Sequence, residues 1–196
     1  MSNIKIYAFA DEAGQDLNTQ ISAMKRTGID GLEIRAINGM NVKDISNYRA
    51  KEIKKAMDDN GLEIWSLGSP MGKISIKDNF YPHLDNYRRL LEINEILGAK
   101  AIRLFSFYMP KDEDPTIYRD EVIERLNKFV EVAKDSGILV CHENEKGIYG
   151  DNAQRCLDII ENVKGLHGIF DPANFIQCNQ DTMEAWEMLK EHISYM

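Results

Sequence analysis

Two acidic side chains each follow a short apolar segment of the chain. Glu143 ends the segment 138–143, and Asp171 directly follows Gly-Ile-Phe at 168–170. Apolar runs of this kind are typical of parallel strands buried on both faces, and in such folds the chemistry lies at the carboxyl ends of the strands. Two carboxylates at neighbouring strand ends would suit a divalent cation such as Mg²⁺ or Mn²⁺. Either carboxylate alone would equally suit the start of a solvated loop.

Further polar residues come shortly after these carboxylates. Asn174 lies three residues after Asp171 and could reach the same ligand, and Lys146 lies three residues after Glu143. An ordinary exposed loop lysine would look the same as Lys146. His142 precedes Glu143 on the strand, so the two side chains point to opposite faces. We therefore expect His142 to pack against the helix layer rather than to bind a ligand.

The second strand-like segment, 31–36, carries two charges in an alternating pattern. Leu32 and Ile34 are apolar and alternate with Glu33 and Arg35. In a barrel the outward side chains meet the helices, so the charged residues are expected to face the interior. Burying an isolated ion is costly, and inward charges therefore either serve a site or pair with each other in a structural network.

Two further features of the strand-like segments leave their role open. Arg103 is the one charge in the apolar segment 101–107, and the alternation does not decide which face it takes. The loop 68–73 follows the third strand-like segment and is rich in turn residues, so it could cover a substrate.

Strand-like and helix-like segments alternate along the whole chain. The apolar segments begin near Ile4, Gly31, Leu62, Lys100, Ile138, His167 and Ile193. Amphipathic stretches of helical length between and after them cover 17–27, 47–59, 82–97, 116–136, 152–163 and 182–192. Five of these stretches lead into the next strand through a glycine, which suits the left-handed residue that ends many helices: Gly28, Gly61, Gly98, Gly137 and Gly165.

Alternation with short links predicts right-handed parallel crossovers. The expected fold is α/β, of the (β/α)₈ TIM-barrel type. Such a barrel takes about 250 residues, whereas this chain offers six βα units and the start of a seventh strand. We therefore expect a single domain over residues 1–196, truncated at the carboxyl end. An open doubly wound sheet is the competing architecture, but the acidic turn 11–16 lacks its glycine-rich phosphate loop.

Composition narrows the classes of function. The 196 residues carry a net charge of −8, and no cluster of Lys and Arg offers the positive field that nucleic acid binding requires. The longest apolar runs fall far short of the roughly 20 residues that span a bilayer. Three cysteines without Cys-x-x-Cys spacing fit a reduced, cytoplasmic protein. Neither nucleic acid nor membrane is expected as a partner, and a homo-oligomer is compatible with the sequence.

Three segments together resemble a known family. Gly-Leu-Glu-Ile-Arg at 31–35, His-Glu-Asn-Glu-Lys-Gly at 142–147 and Phe-Asp-Pro-Ala-Asn at 170–174 are similar to the xylose-isomerase-like TIM barrels, a superfamily of sugar phosphate isomerases and epimerases. The resemblance implies one divalent metal, Mn, Mg or Co. It is usually held by a Glu of strand five, an Asp of strand six, a His of strand seven and a Glu of strand eight. Glu143 and Asp171 match the first two, and the others would lie beyond Met196.

The resemblance also implies a reaction. Glu143 would exchange a proton next to the carbonyl of a sugar or sugar phosphate, through an ene-diolate, while Glu33, Arg35, Asn174 and Lys146 would hold its hydroxyl or phosphate groups. One alternative is a lyase that dehydrates a keto-inositol or keto-acid on the same scaffold. Another is an inactive fragment or binding module that lacks the last two strands. A phosphodiester-cleaving relative acting on damaged DNA is disfavoured by four histidines and the negative charge.

Overall fold

A computed structural model describes residues 4–196. Seven strands lie side by side in chain order in one sheet: β1 (Tyr7–Ala8), β2 (Gly31–Ile34), β3 (Glu63–Leu67), β4 (Ala101–Leu104), β5 (Leu139–Glu143), β6 (Leu166–Ile169) and β7 (Ile193–Tyr195). The strand pairs β1–β2, β2–β3, β3–β4, β5–β6 and β6–β7 are parallel. The helices are α1 (Leu17–Thr27), α2 (Asn47–Asp59), α3 (Tyr81–Leu97), α4 (Arg119–Ala133), α5 (Ala153–Asn162), α6 (Pro172–Gln177) and α7 (Thr182–Leu189). The predicted fold class is confirmed, with seven of the eight strands of a (β/α)₈ barrel among the described residues.

Local side-chain chemistry sets where several helices begin and end. The carboxylate of Asp16 accepts a hydrogen bond from Thr19 N at 2.9 Å, and Ser46 and Asn152 cap α2 and α5 in the same way. All five glycines predicted as left-handed residues have a positive φ, between 66° and 93°. Gly28, Gly61 and Gly98 lie directly at the ends of α1, α2 and α3. Gly137 and Gly165 instead lie in the links that follow the last residues of α4 and α5, Ala133 and Asn162.

Four predicted elements differ in length from those observed. The first strand is only Tyr7–Ala8 and is followed by a 3-10 turn at Ala10–Glu12. The stretch 116–136 begins as a 3-10 helix at Pro115–Tyr118 before it becomes α-helical. The stretch 182–192 ends as a 3-10 helix at Lys190–His192. The fourth strand ends at Leu104 because the next residues pair with a loop, where Phe105 N donates to Met71 O at 2.8 Å.

Two short elements were absent from the prediction. A two-residue antiparallel ladder joins Ala36–Ile37 to Met40–Asn41, directly after β2. Helix α6 begins at Pro172, immediately after the carboxylate of Asp171. Pro suits the first position of a helix and Asp suits the cap before it, so the residues after β6 turn into a helix rather than a loop.

The chain forms two compact units, each with its own core. The first comprises Met1–Ser69 and Arg88–Ile102, and the second comprises Pro70–Tyr87 and Arg103–Met196, with β4 contributing residues to both. In the first unit the buried side chains include Met24, Leu32, Ile34, Ile53, Met57 and Leu67. In the second, an aromatic cluster centres on Phe129, whose ring lies 4.8 Å from Tyr87 and 5.1 Å from Phe80 between centroids. The single domain over residues 1–196 stays a prediction.

None of the helices within residues 4–196 combines the length and the apolar character needed to cross a bilayer.

Candidate functional site

Glu143 is a buried carboxylate at the carboxyl end of β5. Its residue is 8% exposed, and Oε2 accepts a hydrogen bond from Arg103 Nη1 at 3.0 Å. Burial raises the pKa of Glu143 above its usual value, and the negative charges of Asp171 and Glu145 act in the same direction. The Arg103 guanidinium opposes this rise because it favours the ionised carboxylate. Glu143 is therefore a buried carboxylate with charged neighbours, and its pKa lies above that of an exposed glutamate.

Asp171 lies beside it at the end of the neighbouring strand. Glu143 is the register partner of Ile169 on β6, and Asp171 comes two residues later, so its side chain shares the face of Glu143. The backbone of Asp171 is extended, as predicted from the proline that follows it. Asn174 holds the carboxylate with two bonds, from its backbone N to Oδ1 at 2.9 Å and from Nδ2 to Oδ2 at 3.1 Å. The two carboxylates therefore belong to adjacent strand ends, and their joint role as cation ligands stays a prediction.

Asn144 connects the two strand ends and was not predicted from the sequence. Its residue is 1% exposed. Its Nδ2 donates to Asp171 O and its Oδ1 accepts from Asp171 N, both at 2.9 Å. The only signal in the sequence was its position directly after Glu143, and that position did not indicate which backbone groups the amide would reach.

A second ion pair lies on the same unit. Lys73, at the end of the turn-rich loop, lies 2.6 Å from the carboxylate of Glu145 and 4.2 Å from the centroid of the Phe105 ring. The guanidinium of Arg103 lies 5.0 Å from the same ring centroid. Phe105 therefore contacts two cations, and each cation is paired with a carboxylate. The loop was a candidate from the sequence, whereas Glu145 and the ring of Phe105 were not predicted to lie at the site.

His142 is packed on the other face of β5, in agreement with its predicted orientation. Its residue is 1% exposed, and Nε2 lies 2.9 Å from Ser106 Oγ. The same hydroxyl oxygen accepts a hydrogen bond from Gly150 N at 2.7 Å. Burial lowers the pKa of His142 to about 3, so the imidazole is neutral at physiological pH. Through Ser106, His142 is linked to Gly150 in the segment that follows β5.

The remaining predicted contacts lie in different places. Glu33 is buried on β2 in the first unit. Arg35 lies just after β2, where it binds Asp11 at 2.9 Å and stacks 4.8 Å from the centroid of Phe9. Lys146 is exposed on the loop after β5. Their roles as substrate contacts stay predictions, as does that of Asn174.

The family model described as xylose isomerase-like TIM barrel matches residues 21–196, nearly the whole chain. The chain belongs to the xylose isomerase-like TIM barrel family. No sequence among curated proteins matches it significantly.

Solved structures share the fold of this xylose isomerase-like chain. A probable 3-DHS dehydratase from Bacillus anthracis has a TM-score of 0.80 at 16% identity, with 98% of this chain and 72% of that chain covered. A 3-keto-D-glucoside 4-epimerase from E. coli has a TM-score of 0.75 at 18% identity, covering 97% and 76%. A xylose isomerase-like TIM barrel protein from Mycobacterium smegmatis, in complex with magnesium, has a TM-score of 0.75 at 17% identity, covering 96% and 72%. At these identities the likeness is one of fold.

Two carboxylates of this xylose isomerase-like chain fit a hard divalent cation that keeps several bound waters. Within residues 4–196, no group of three or more His, Cys, Asp and Glu side chains is arranged to hold a metal ion. The donors at the ends of β5 and β6 are the two carboxylates Glu143 and Asp171. Mg²⁺ commonly keeps several waters and binds through one or two carboxylates. Carboxylate oxygens that accept one hydrogen bond keep further lone pairs, so the two residues fit such an ion.

Proposed function

We propose that the chain is a divalent-metal-dependent isomerase or epimerase of a sugar or sugar phosphate. The proposed reaction abstracts a proton from the carbon next to a carbonyl. The observation that carries this proposal is the buried carboxylate of Glu143, which is paired with Arg103 and lies next to Asp171 at adjacent strand ends. Membership in the xylose isomerase-like family and the epimerase fold of the E. coli protein support the same class.

Glu143 is assigned as the acid–base residue. A carboxylate whose pKa is raised by burial binds a proton more readily than an ordinary one, and this favours proton abstraction near neutral pH. In the first step the proton moves from the substrate carbon to Glu143, and the electron pair moves toward the carbonyl oxygen. In an isomerase, the second step returns the proton from Glu143 to the former carbonyl carbon, while the proton of the neighbouring hydroxyl passes to the former carbonyl oxygen. In an epimerase, a second acid would deliver a proton to the opposite face of the first carbon, and Glu143 would release its proton to water, because return to the same face would restore the substrate. Arg103 holds one oxygen of the carboxylate in place through both steps.

Glu143 and Asp171 are assigned as the cation ligands from this chain. The bound cation would supply Lewis-acid stabilisation of the negative charge that develops next to the substrate carbonyl. Asn174 fixes the Asp171 carboxylate through its backbone and side-chain N–H groups. Glu33, Arg35, Asn174 and Lys146 are retained as the proposed contacts for hydroxyl or phosphate groups of the substrate.

A dehydratase is the second candidate. The fold of the probable 3-DHS dehydratase superposes on this chain with a TM-score of 0.80. Dehydration begins with the same proton abstraction and then expels a β-hydroxyl group as water. The buried base at Glu143 serves both reactions, and the products distinguish them.

The experiment measures proton exchange directly. Purified chain with Mn²⁺ is incubated in D₂O with D-fructose, D-tagatose, D-fructose 6-phosphate or 3-DHS, and ¹H NMR follows loss of the proton next to the carbonyl. At least one compound is expected to exchange. Substituting Glu143→Gln is expected to lower the exchange rate by about 10²-fold or more, the usual contribution of a general base. Loss of water identifies a dehydratase, and a new sugar identifies an isomerase or epimerase.

Glu161→Gln is the matched control, because Glu161 is exposed on α5 and the change removes the same charge. Its exchange rate should equal that of the unaltered chain. Undiminished exchange in folded Glu143→Gln would discard the assigned mechanism. No exchange with any compound, together with no calorimetric heat at millimolar Mn²⁺, would favour an inactive fragment or binding module.

A further inference from the structure

The side chain of Asn144 extends the pairing of two strands beyond their last backbone pair. The parallel ladder of β5 and β6 runs from Val140 opposite Leu166 to Glu143 opposite Ile169. One residue later, the amide of Asn144 takes the place of a strand backbone and bonds both the N–H and the C=O of Asp171 at 2.9 Å. The two strand ends are thus tied together at the point where their carboxylates emerge.

Asn174 closes this arrangement from the other side. Its Nδ2 donates to Asn144 O at 2.9 Å and to Asp171 Oδ2 at 3.1 Å. Its backbone N donates to Asp171 Oδ1 at 2.9 Å. The peptide groups of Asp171 are held by Asn144, and the carboxylate is held by Asn174. Both the backbone and the side chain of the proposed ligand are therefore fixed by amides.

We infer that Asn144 is a positioning residue that holds Asp171 in the geometry for binding a divalent cation, an inference that rests on the proposed function. A primary amide is suited to this role because it carries a donor and an acceptor side by side. Aspartate at this position would keep only acceptors, and leucine would keep neither group. Partners that orient metal ligands typically contribute 10-fold to 100-fold in metal affinity.

The chain contains a matched control for this amide. Asn94, on α3 of the first unit, bonds the backbone of Ala99 in the same two-bond pattern, with Nδ2 to O at 3.3 Å and N to Oδ1 at 3.0 Å. Asn94 is also buried. Substituting either asparagine removes the same kind of bond, but only Asn144 contacts a proposed ligand.

The experiment compares Asn144→Leu with Asn94→Leu. Hydrogen exchange in metal-free protein should show faster exchange of the Asp171 amide only in Asn144→Leu, and faster exchange of the Ala99 amide only in Asn94→Leu. Calorimetry with MnCl₂ should show that Asn144→Leu lowers the affinity for Mn²⁺ by about tenfold or more. The affinity of Asn94→Leu should lie within about twofold of that of the unaltered chain. If Asn144→Leu does not fold, Asn144→Asp, which has the same shape, is measured instead. Its added charge alone would tighten Mn²⁺ binding, so weaker binding reports lost positioning.

The outcomes separate the two claims. Mn²⁺ affinity within twofold of the unaltered chain in a folded Asn144 variant overturns the positioning role and leaves the proposed metal site standing. An equal loss of affinity in the Asn94 variant also overturns it, because the effect would then be a general loss of stability. Absence of Mn²⁺ binding by the unaltered chain overturns the proposed metal site, and the positioning role with it.

Discussion

The pair of Arg103 and Glu143 illustrates what residue patterns can and cannot specify. Glu143 was identifiable because it follows an apolar run and precedes other ionisable residues. Arg103 was visible as the one charge in its segment, but a strand buried on both faces has no polar face that would fix the direction of a side chain. The partner of the buried carboxylate therefore came from the structure, as did Asn144, whose partners are backbone groups of a residue 27 positions away.

The buried neutral His142 is expected to make stability depend on acid pH. Its pKa is about 3 in the folded chain, against 6.5 ordinarily, so the unfolded chain binds one more proton between these values. The free energy of unfolding should therefore rise with pH from about 3 to 6.5, by up to about 1.4 kcal/mol per pH unit from this group. The free energy of unfolding, measured by urea unfolding at pH 4 to 7, should change less steeply with pH in His142→Gln than in the unaltered chain.

Ser106→Ala is the control for this pH effect. It removes the hydroxyl that contacts His142 Nε2 and keeps the buried imidazole. Stability should fall at every pH because Gly150 N also loses its acceptor, while the slope stays near that of the unaltered chain. If the free energy of unfolding changes with pH as steeply in His142→Gln as in the unaltered chain, the pKa of His142 does not differ between the folded and unfolded states.

At the level of elements, most local signals predicted the observed structure, whereas pairing between distant segments was not predicted. The bounds of α1 and α2 follow from their caps and apolar spacing, and Gly28, Gly61 and Gly98 follow from helix ends that need a left-handed residue. Helix α6 carried a readable Asp-Pro signal that was interpreted as a strand end. The pairing of 105–108 with the loop 71–76 had no local signal, because it joins segments about 30 residues apart. That pairing also places Lys73 beside Phe105.

Gly72 is expected to be essential to this paired loop. Its φ is +90°, and a Cβ built there would lie 1.9 Å from Phe105 O. Gly72→Ala should lower the free energy of unfolding by more than about 3 kcal/mol, because backbone strain and a backbone clash add together. Gly61→Ala is the matched control, since Gly61 has a φ of +66° and open space around it. Its cost should be about 1–2 kcal/mol, from strain alone. Equal losses in urea unfolding would contradict the proposed clash.

For the whole chain, the alternation of strand-like and helix-like segments was sufficient to predict an α/β fold. The order of the strands needed a second signal, the acidic turn 11–16, which lacks a glycine-rich phosphate loop and so favoured the barrel-type order that is observed over a doubly wound sheet. Net charge was equally accessible from composition, but its distribution was not. The carboxylates of Glu145 and Asp171 act electrostatically on that of Glu143, at and just after the carboxyl ends of β5 and β6. Local concentration of this kind arises from the register of β5 and β6.

Cation binding at these carboxylates is expected to stabilise the whole chain against unfolding. A ligand that binds only the folded state adds about 2.7 kcal/mol at 100 times its dissociation constant, so the melting temperature should rise with Mn²⁺ concentration. Because the chain carries a net charge of −8, divalent salt also screens general repulsion, and NaCl at equal ionic strength measures that part. Glu143→Gln should lose the Mn²⁺-specific rise, while Glu161→Gln, with the same loss of charge, should keep it. If both variants lose the Mn²⁺-specific rise of the melting temperature equally, the stabilisation depends on the net charge of the chain. The carboxylates of β5 and β6 would then bind Mn²⁺ no more tightly than other acidic residues do.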